Sequence, residues 1–249
     1  MSKPVVAIIG GTGLDSIEEL VIKHKHLVQT PFGAPSDMIQ EGTLFDEAIL
    51  FLPRHGRAHN IPPHKINYRA NIAALKQFGV DKILAITAVG GIAPNCPPRA
   101  LVIPEQIIDY TYGREHTFFD GVDSRVEHID FTAPFCDTIR NELVGAAQSA
   151  GIEIVSGGVY GVTQGPRLET AAEIKRMARD GCSVVGMTVM PEAALARELD
   201  MRYANCSIVV NWGAGLEDGE ITMDEIRDHL QHASLEVKKL LNHWLANSL

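Results

Sequence analysis

Near its start the chain runs Val5-Val6-Ala7-Ile8-Ile9 straight into Gly10-Gly11-Thr12-Gly13. Five consecutive apolar, β-favouring residues have no polar face to offer water. They predict a strand buried on both sides, as at the centre of an α/β sheet. The glycines allow a sharp turn and a close backbone approach, so successive N–H groups can point at an anion. Thr12 adds a hydroxyl donor in the same turn. A glycine turn without a ligand fits this stretch too, as does the opening of a dinucleotide-dependent oxidoreductase. The dinucleotide fold wants G-x-G-x-x-G leading into a long helix. Counted from Gly11, the third glycine position holds Ser16, and only Leu14 to Leu20 is left for a helix before Val21–Val28 turns β-like.

The same kind of strand end recurs downstream. Met38–Thr43 and Ala48–Leu52 read as a hairpin around Phe45-Asp46-Glu47, and its second strand runs into Pro53-Arg54-His55-Gly56-Arg57. A guanidinium fork where a strand meets glycine suits phosphate, although a surface arginine beside a solvated histidine fits as well. His55, His59 and His64 raise the question of a metal. Pro62 and Pro63 break any helix there, and no cysteine or glutamate completes the set, so no metal is expected. Asn67 to Phe78 reads as a helix closed by Gly79. Lys82–Ala88 is a second buried strand that ends on Thr87-Ala88-Val89-Gly90-Gly91. Ligands of open α/β sheets collect at the carboxyl edges of strands, so two such ends carry more weight than one.

Leu101–Tyr110 is strand-like, and the irregular, aromatic Thr111 to Asp130 segment, with His116 and His128, suits a lid or a subunit contact. A helix from Pro134 stops at Gly151, and Ile152–Tyr160 is a strand. Thr170 with Glu173 forms a capping box, which leaves Leu168 and Glu169 just before a fixed helix start. Cys182–Met187 is a strand reaching Thr188, followed by a helix opening at Pro191. The last core strand, Tyr203–Val210, delivers Asn211-Trp212-Gly213, and all three are expected against a ligand. Thr222 and Glu225 cap a final helix whose buried stripe is Ile226, Leu230, Ala233, Val237, Leu241 and Trp244.

No repeat or shift in composition divides the 249 residues, so one α/β domain over 1–249 is expected. A net charge of −9 without a basic stripe argues against nucleic acid. No apolar run approaches the roughly 20 residues that span a bilayer, and the N-terminus lacks a signal-peptide pattern. Four scattered cysteines without a C-x-x-C pair suit a reducing compartment, and the expected location is cytoplasmic.

Taken together, Gly10-Gly11-Thr12-Gly13, Thr30-Pro31-Phe32-Gly33, Arg54-His55-Gly56, Asn67-Tyr68-Arg69-Ala70-Asn71, Gly165-Pro166-Arg167, Met187-Thr188-Val189-Met190-Pro191-Glu192 and Val210-Asn211 are highly specific. Over essentially its whole length the chain resembles the trimeric nucleoside phosphorylases, the group that holds purine nucleoside phosphorylase and methylthioadenosine phosphorylase. The resemblance implies a three-layer α/β fold with a mixed central sheet flanked by helices. It also implies a homotrimer that needs no cofactor and takes a purine nucleoside and inorganic phosphate as co-substrates. Phosphate would be held by Thr12, Arg54, His55, Thr87, the backbone of Ala88, and Thr188. Met187, alone an ordinary core methionine, would pack under the ribose. Leu168 would lie against the purine, where relatives often carry phenylalanine. His128 sits in a segment like one that relatives offer from a neighbouring subunit, and would there border the pocket for the 5′ end of the sugar.

Side-chain chemistry narrows the substrate. As the glycosidic bond breaks, positive charge builds on the sugar beside phosphate and negative charge on the base. Groups already oriented toward those charges supply the rate. Asn211 carries an NH₂ for O6 of a 6-oxopurine and a carbonyl for a protonated N7, while Glu169, acceptor-only when ionised, suits N1–H. Methylthioadenosine phosphorylases carry aspartate and serine at these positions, and purine nucleoside phosphorylases carry Asn and Glu. Glu169 also reads as a helix N-terminal charge. At the 5′ end, where purine nucleoside phosphorylases place a histidine, this chain has Met223. It fits simple packing of the helix start, and it also suits a methylthio group while leaving a hydroxyl without a partner. The expected reaction is phosphorolysis of 5′-methylthioinosine to hypoxanthine and 5-methylthioribose 1-phosphate. Inosine, guanosine and methylthioadenosine are the competing substrates, and Asn211 is the catalytic residue.

Overall fold

A computed structural model describes residues 5–12, 17–121 and 126–248. The opening apolar run forms β1 (Val5–Gly10), buried from its second residue onward. Its side chains alternate between two cores. Val6 and Ile8 join a cluster containing Leu241 and Trp244, while Ala7 and Ile9 join one containing Ile72, Leu75 and Leu195. That is the period-two signature of a sheet covered by helices on both faces. Gly13 and Ser16 lie outside the described residues. Ile17 to Leu20 forms a turn, closed by Leu20 N–H donating to the Ile17 carbonyl, where the sequence allowed a helix.

The hairpin follows as expected: β2 (Val21–His26), β3 (Ile39–Leu44) and β4 (Glu47–Pro53), with Phe45 and Asp46 both at positive φ in the tight turn. Helix α1 (Tyr68–Gln77) starts one residue later than predicted because Asn67 is its cap, accepting from Ala70 N–H at 3.1 Å. The next strand, β5 (Val80–Gly91), does not stop at its first glycine. Gly91 stays extended because its bare Cα lets the Cys96 carbonyl approach, where a Cβ would sit 2.0 Å from that oxygen.

Two predicted strands are each split. Pro104 and Glu105 separate β6 (Leu101–Ile103) from β7 (Gln106–Asp109). Gly157 and Gly158, both at positive φ, separate β8 (Ile154–Ser156) from β9 (Val159–Val162). Between these pairs, α2 (Asp137–Ala150) begins three residues after Pro134 and ends at left-handed Gly151. The capping box forms as predicted and opens α3 (Ala171–Asp180). Strand β10 (Cys182–Gly186) leads into α4 (Val189–Glu198), whose helical geometry breaks at Met190 just ahead of Pro191. Strand β11 (Arg202–Trp212) runs two residues past its predicted end, and α5 (Met223–Ser248) closes the chain.

Among the described residues the strands make one mixed sheet in the order β2-β3-β4-β1-β5-β10-β9-β7, with β11 joined to β5 and carrying β6 and β8. Helices α2 and α5 cover one face, and α1 and α4 the other. The buried Lys82 ammonium is tolerated because Glu142 of α2 accepts from it at 2.7 Å, and Trp244 of α5 donates to the same carboxylate at 3.1 Å.

The decisive feature is that β5 changes partner. It pairs in parallel with β1 through Ala85 and antiparallel with β10 only from Gly90, while β11 follows its other edge almost throughout. On the first edge, Ile86 to Val89 therefore has no strand beside it among the described residues.

The capping box allows a stability test. Thr170→Ala is expected to cost about 1 kcal/mol in urea unfolding. Glu173 is held down to about 2 by the Arg167 guanidinium and the Thr170 N–H. Because its folded pKa lies below the unfolded one, its stabilising effect is present at neutral pH and fades as pH falls below the usual carboxylate range toward 2. The stability gap between the parent and Glu173→Gln should close over that window, and a constant gap would contradict the assignment.

Candidate active site

The unpartnered edge of β5 opens into a cleft of about 210 Å³. Its walls come from the ends of other elements: Thr12 after β1, Arg54 and His55 after β4, Met187 and Thr188 after β10, and Asn211 near the end of β11. Thr87 and Ala88 of β5 form the floor, Leu168 and Glu169 stand ahead of α3, and Met223 opens α5. All of these residues were candidates from sequence. Trp212 and Gly213 instead line an adjoining hollow of about 460 Å³ that shares Leu168, Glu169 and Asn211 with the cleft. His128 is exposed on an irregular segment and does not line the cleft of its own chain.

One end of the cleft is rich in donors. Ile86 turns its carbonyl to the open edge, where Arg54 Nη1 donates to it at 3.1 Å. By the two-residue period of a strand, Ala88 turns its N–H the same way, toward the cleft. Thr188 is the N-cap of α4, yet its hydroxyl makes no capping bond. His55 Nδ1 lies 2.8 Å from the Ile61 carbonyl, which requires a proton on that nitrogen and orients the ring.

Arg54 differs from the open clamp suggested by sequence. Its guanidinium is fully buried, and its Nε and Nη2 edge grips the buried Glu192 carboxylate with two bonds of 2.8 Å. Burial alone would pull its pKa down, but the charge and hydrogen bonds of Glu192 outweigh that and hold it above the usual guanidinium value. Tyr203 donates to the same carboxylate at 2.8 Å, and burial, reinforced by Glu192, raises its pKa well above that of a free phenol. What faces the cleft is the outer edge of a pinned cation. Gly11 lies against it, and a Cβ there would meet Nη1 at 2.8 Å. Glycine is thus required beside Arg54.

The other end presents acceptors and apolar surface. Glu169 is held by the Thr163 hydroxyl, which donates to Oε1 at 2.6 Å. Asn211 Nδ2 donates to the Trp212 carbonyl at 2.6 Å, and only the NH₂ side of an amide can do so, which sets the orientation of the side chain. Met187 sits between the cleft and Gly165, where a Cβ would lie 2.5 Å from its sulfur. Leu168 and Met223 are both partly open to solvent, and Ile226 stands buried behind Met223.

Several supporting residues escaped the sequence reading. Glu192 was visible in its motif, but a glutamate in the first turn of a helix reads as a surface charge, and its partner lies 138 positions away. Arg114 comes from the irregular segment and is buried. It donates to the carbonyls of Thr163, Gln164, Met187 and Met190, tying the Glu169 loop to the Met187 turn. Nothing local marks it out from other loop arginines. The Tyr160 hydroxyl is buried behind Gly186, and burial pushes it up to about 12, so it keeps its proton.

A family model described as "Phosphorylase superfamily" matches residues 5–246. The chain belongs to that superfamily. One relative of this phosphorylase, a probable S-methyl-5′-thioinosine phosphorylase from Xanthomonas campestris pv. campestris, is 51% identical over 95% of each chain. A 6-oxopurine nucleoside phosphorylase from Pyrococcus furiosus is 45% identical over 96% of this chain and 91% of its own. Methylthioadenosine phosphorylase from Schistosoma mansoni, solved with adenine, superposes with a TM-score of 0.93 at 34% identity, covering 98% of this chain and 91% of that one. The mixed three-layer architecture agrees with that neighbour, and so does the expectation drawn from the motifs.

The buried ion pair makes a direct prediction. Glu192→Ala strands a guanidinium without its counter-charge and should cost about 3–5 kcal/mol in denaturant unfolding. Tyr203→Phe removes one hydrogen bond to the same carboxylate and should cost about 1.5–3 kcal/mol.

Proposed function

We propose that this phosphorylase cleaves 5′-methylthioinosine with inorganic phosphate, releasing hypoxanthine and 5-methylthioribose 1-phosphate. In this reading residues 1–249 form one domain, three copies assemble, and the enzyme works in the cytoplasm without a cofactor. The relatives named as methylthioinosine and 6-oxopurine phosphorylases support it.

The observation that carries the reading is the pairing of Glu169 and Asn211 at one end of the cleft. Asn211 spends one amide hydrogen on the Trp212 carbonyl, which leaves Oδ1 to accept and one N–H to donate. Glu169 can only accept while ionised. A base bound here must carry N–H at N1 and at N7 and an acceptor at C6, which describes a departing 6-oxopurine. Adenine would turn the lone pair of N1 toward a carboxylate, which is repulsive.

Phosphate occupies the donor end, against Thr12, His55, Thr87, the Ala88 N–H, Thr188 and the outer edge of Arg54. The bond from C1′ to N9 breaks, and a phosphate oxygen forms the new bond to C1′. The base leaves neutral once N7 is protonated, and hydrogen phosphate gives up one proton in forming the sugar phosphate dianion, so the protons balance. Asn211 holds the N7 proton on Oδ1 as negative charge grows on the ring. Met187 supports the ribose, Leu168 covers the purine face, and Trp212 and Gly213 border the hollow beyond the base. Met223, backed by Ile226, receives the methylthio group. His128 of a neighbouring copy borders the same pocket.

A second reading, inosine or guanosine as the main substrate, draws on the exposure of Met223, 56% open on the single chain. Water reaching that wall would solvate a 5′-hydroxyl. Comparing kcat/KM for methylthioinosine, inosine, guanosine and methylthioadenosine at fixed phosphate separates the readings. Methylthioinosine is expected to lead, a lead for inosine would favour the second reading, and a lead for methylthioadenosine would refute the roles of Glu169 and Asn211. Asn211→Asp should move activity toward 6-aminopurines, and Met223→His should narrow the gap between inosine and methylthioinosine.

A further inference from the structure

Behind Thr87 lies a fully buried polar pair, Asn205 and Ser207, both on β11 and in register with Ala85 and Thr87 of β5. The centre of a sheet is an expensive place for an amide and a hydroxyl unless their hydrogen bonds are satisfied. Asn205 Nδ2 donates to the Ala85 carbonyl at 3.1 Å. That bond fixes the amide, because its oxygen could not face another carbonyl. The second hydrogen of Nδ2 points at Thr87 Oγ1, also at 3.1 Å. On the far side, Ser207 Oγ donates its only proton to Asn205 Oδ1 at 2.6 Å.

The direction of these bonds decides what Thr87 can do. Its oxygen is already accepting from Asn205, so one lone pair is spent inside the sheet. The Ser207 proton is committed, so Ser207 cannot donate to Thr87 as well. Within the network the Thr87 proton has only long alternatives, 3.2 Å to Ser207 Oγ and 3.4 Å to Asn205 Oδ1. The buried Tyr160 hydroxyl, which also reaches Thr87, keeps a proton of its own to donate. An anion oxygen in the cleft offers a shorter, charge-assisted bond.

We infer that Asn205 and Ser207 are positioning residues that hold the Thr87 hydroxyl as a proton donor to phosphate. The inference rests on the placement of phosphate at Thr87 proposed above. Ser207 to Asn205 to Thr87 to phosphate is a chain of donors in series, each polarising the next. Pointing one way, it keeps a lone pair of Thr87 from facing a dianion.

The test is steady-state kinetics with inorganic phosphate as the varied substrate, and then with the nucleoside varied. Ser207→Ala should raise the KM for phosphate by about threefold to tenfold, the size of one ordinary hydrogen bond. The KM for nucleoside should stay within about twofold, a change too small to count as one lost hydrogen bond. Asn205→Asp puts an acceptor where the amide donated, and should raise the phosphate KM further. Thr87→Val should raise it too, and in that background Ser207→Ala should add nothing. This loss of additivity is the signature that a merely structural serine would not produce. Should Ser207→Ala leave the phosphate KM unchanged, or act equally with and without the Thr87 hydroxyl, the relay is wrong while the phosphate placement stands. Should Thr87→Val itself leave the phosphate KM unchanged, the placement fails and the relay falls with it.

Discussion

A strand can be paired on only two edges, and among the described residues β5 leaves part of one edge without a partner strand. Its pairing with β1 ends at Ala85 and that with β10 begins at Gly90. Between them the backbone groups that a sheet would normally consume are available to something else. The strands that diverge there bring their carboxyl ends to the gap, and each end carries a loop with polar side chains. The cleft is thus a consequence of strand pairing, with the side chains added onto a backbone vacancy at the point where the sheet changes direction.

The charge at that vacancy is arranged with care for its cost. A guanidinium at zero exposure would be prohibitive alone, so Glu192 neutralises it from the far side while Tyr203 and the Ile86 carbonyl complete the shell. The carboxylate sits in the core and the outer face of the cation remains toward the cleft. The result is a cation pinned by its counter-ion, beside a Thr87 hydroxyl held by Asn205 and a backbone N–H held by its strand. Such preorganisation matters for a reaction in which little covalent chemistry is done by protein groups. At the opposite end the sign is reversed, with Glu169 clamped by Thr163 and Asn211 tied to its own strand end. Arg114 links the loop of Glu169 to the Met187–Met190 turn that carries Thr188 of the donor end, so the two ends are parts of one bonded unit.

Local signals were read well where local physics decides. The buried run of β1, the capping box at Thr170, the glycine stop at Gly151 and the stripe of α5 all follow from spacing within a few residues. Boundaries failed where a distant partner decides. Strand β5 runs on through Gly90 and Gly91 because β10 and β11 pair with them. The predicted Leu101–Tyr110 strand breaks because its halves belong to different neighbours, β6 to β11 and β7 to β9. The site candidates were legible because glycine, threonine and asparagine at strand ends are chemically conspicuous. Their supports were not: Glu192, Arg114, Asn205 and Ser207 have unremarkable local surroundings.

By itself, then, the sequence determined the layered α/β class, the glycine-lined strand ends and the inventory of donors and acceptors that a nucleoside and phosphate would need. Those properties are written in runs of a few residues, because burial pattern, backbone freedom and side-chain chemistry are local. Only the tertiary structure decided that Arg54 faces Glu192 as well as the cleft, that Trp212 and His128 stand outside it, and that Thr87 is backed by a directed chain of hydrogen bonds. Those outcomes depend on residues more than a hundred positions apart meeting in a buried, low-dielectric space, and no short stretch of chain contains that information.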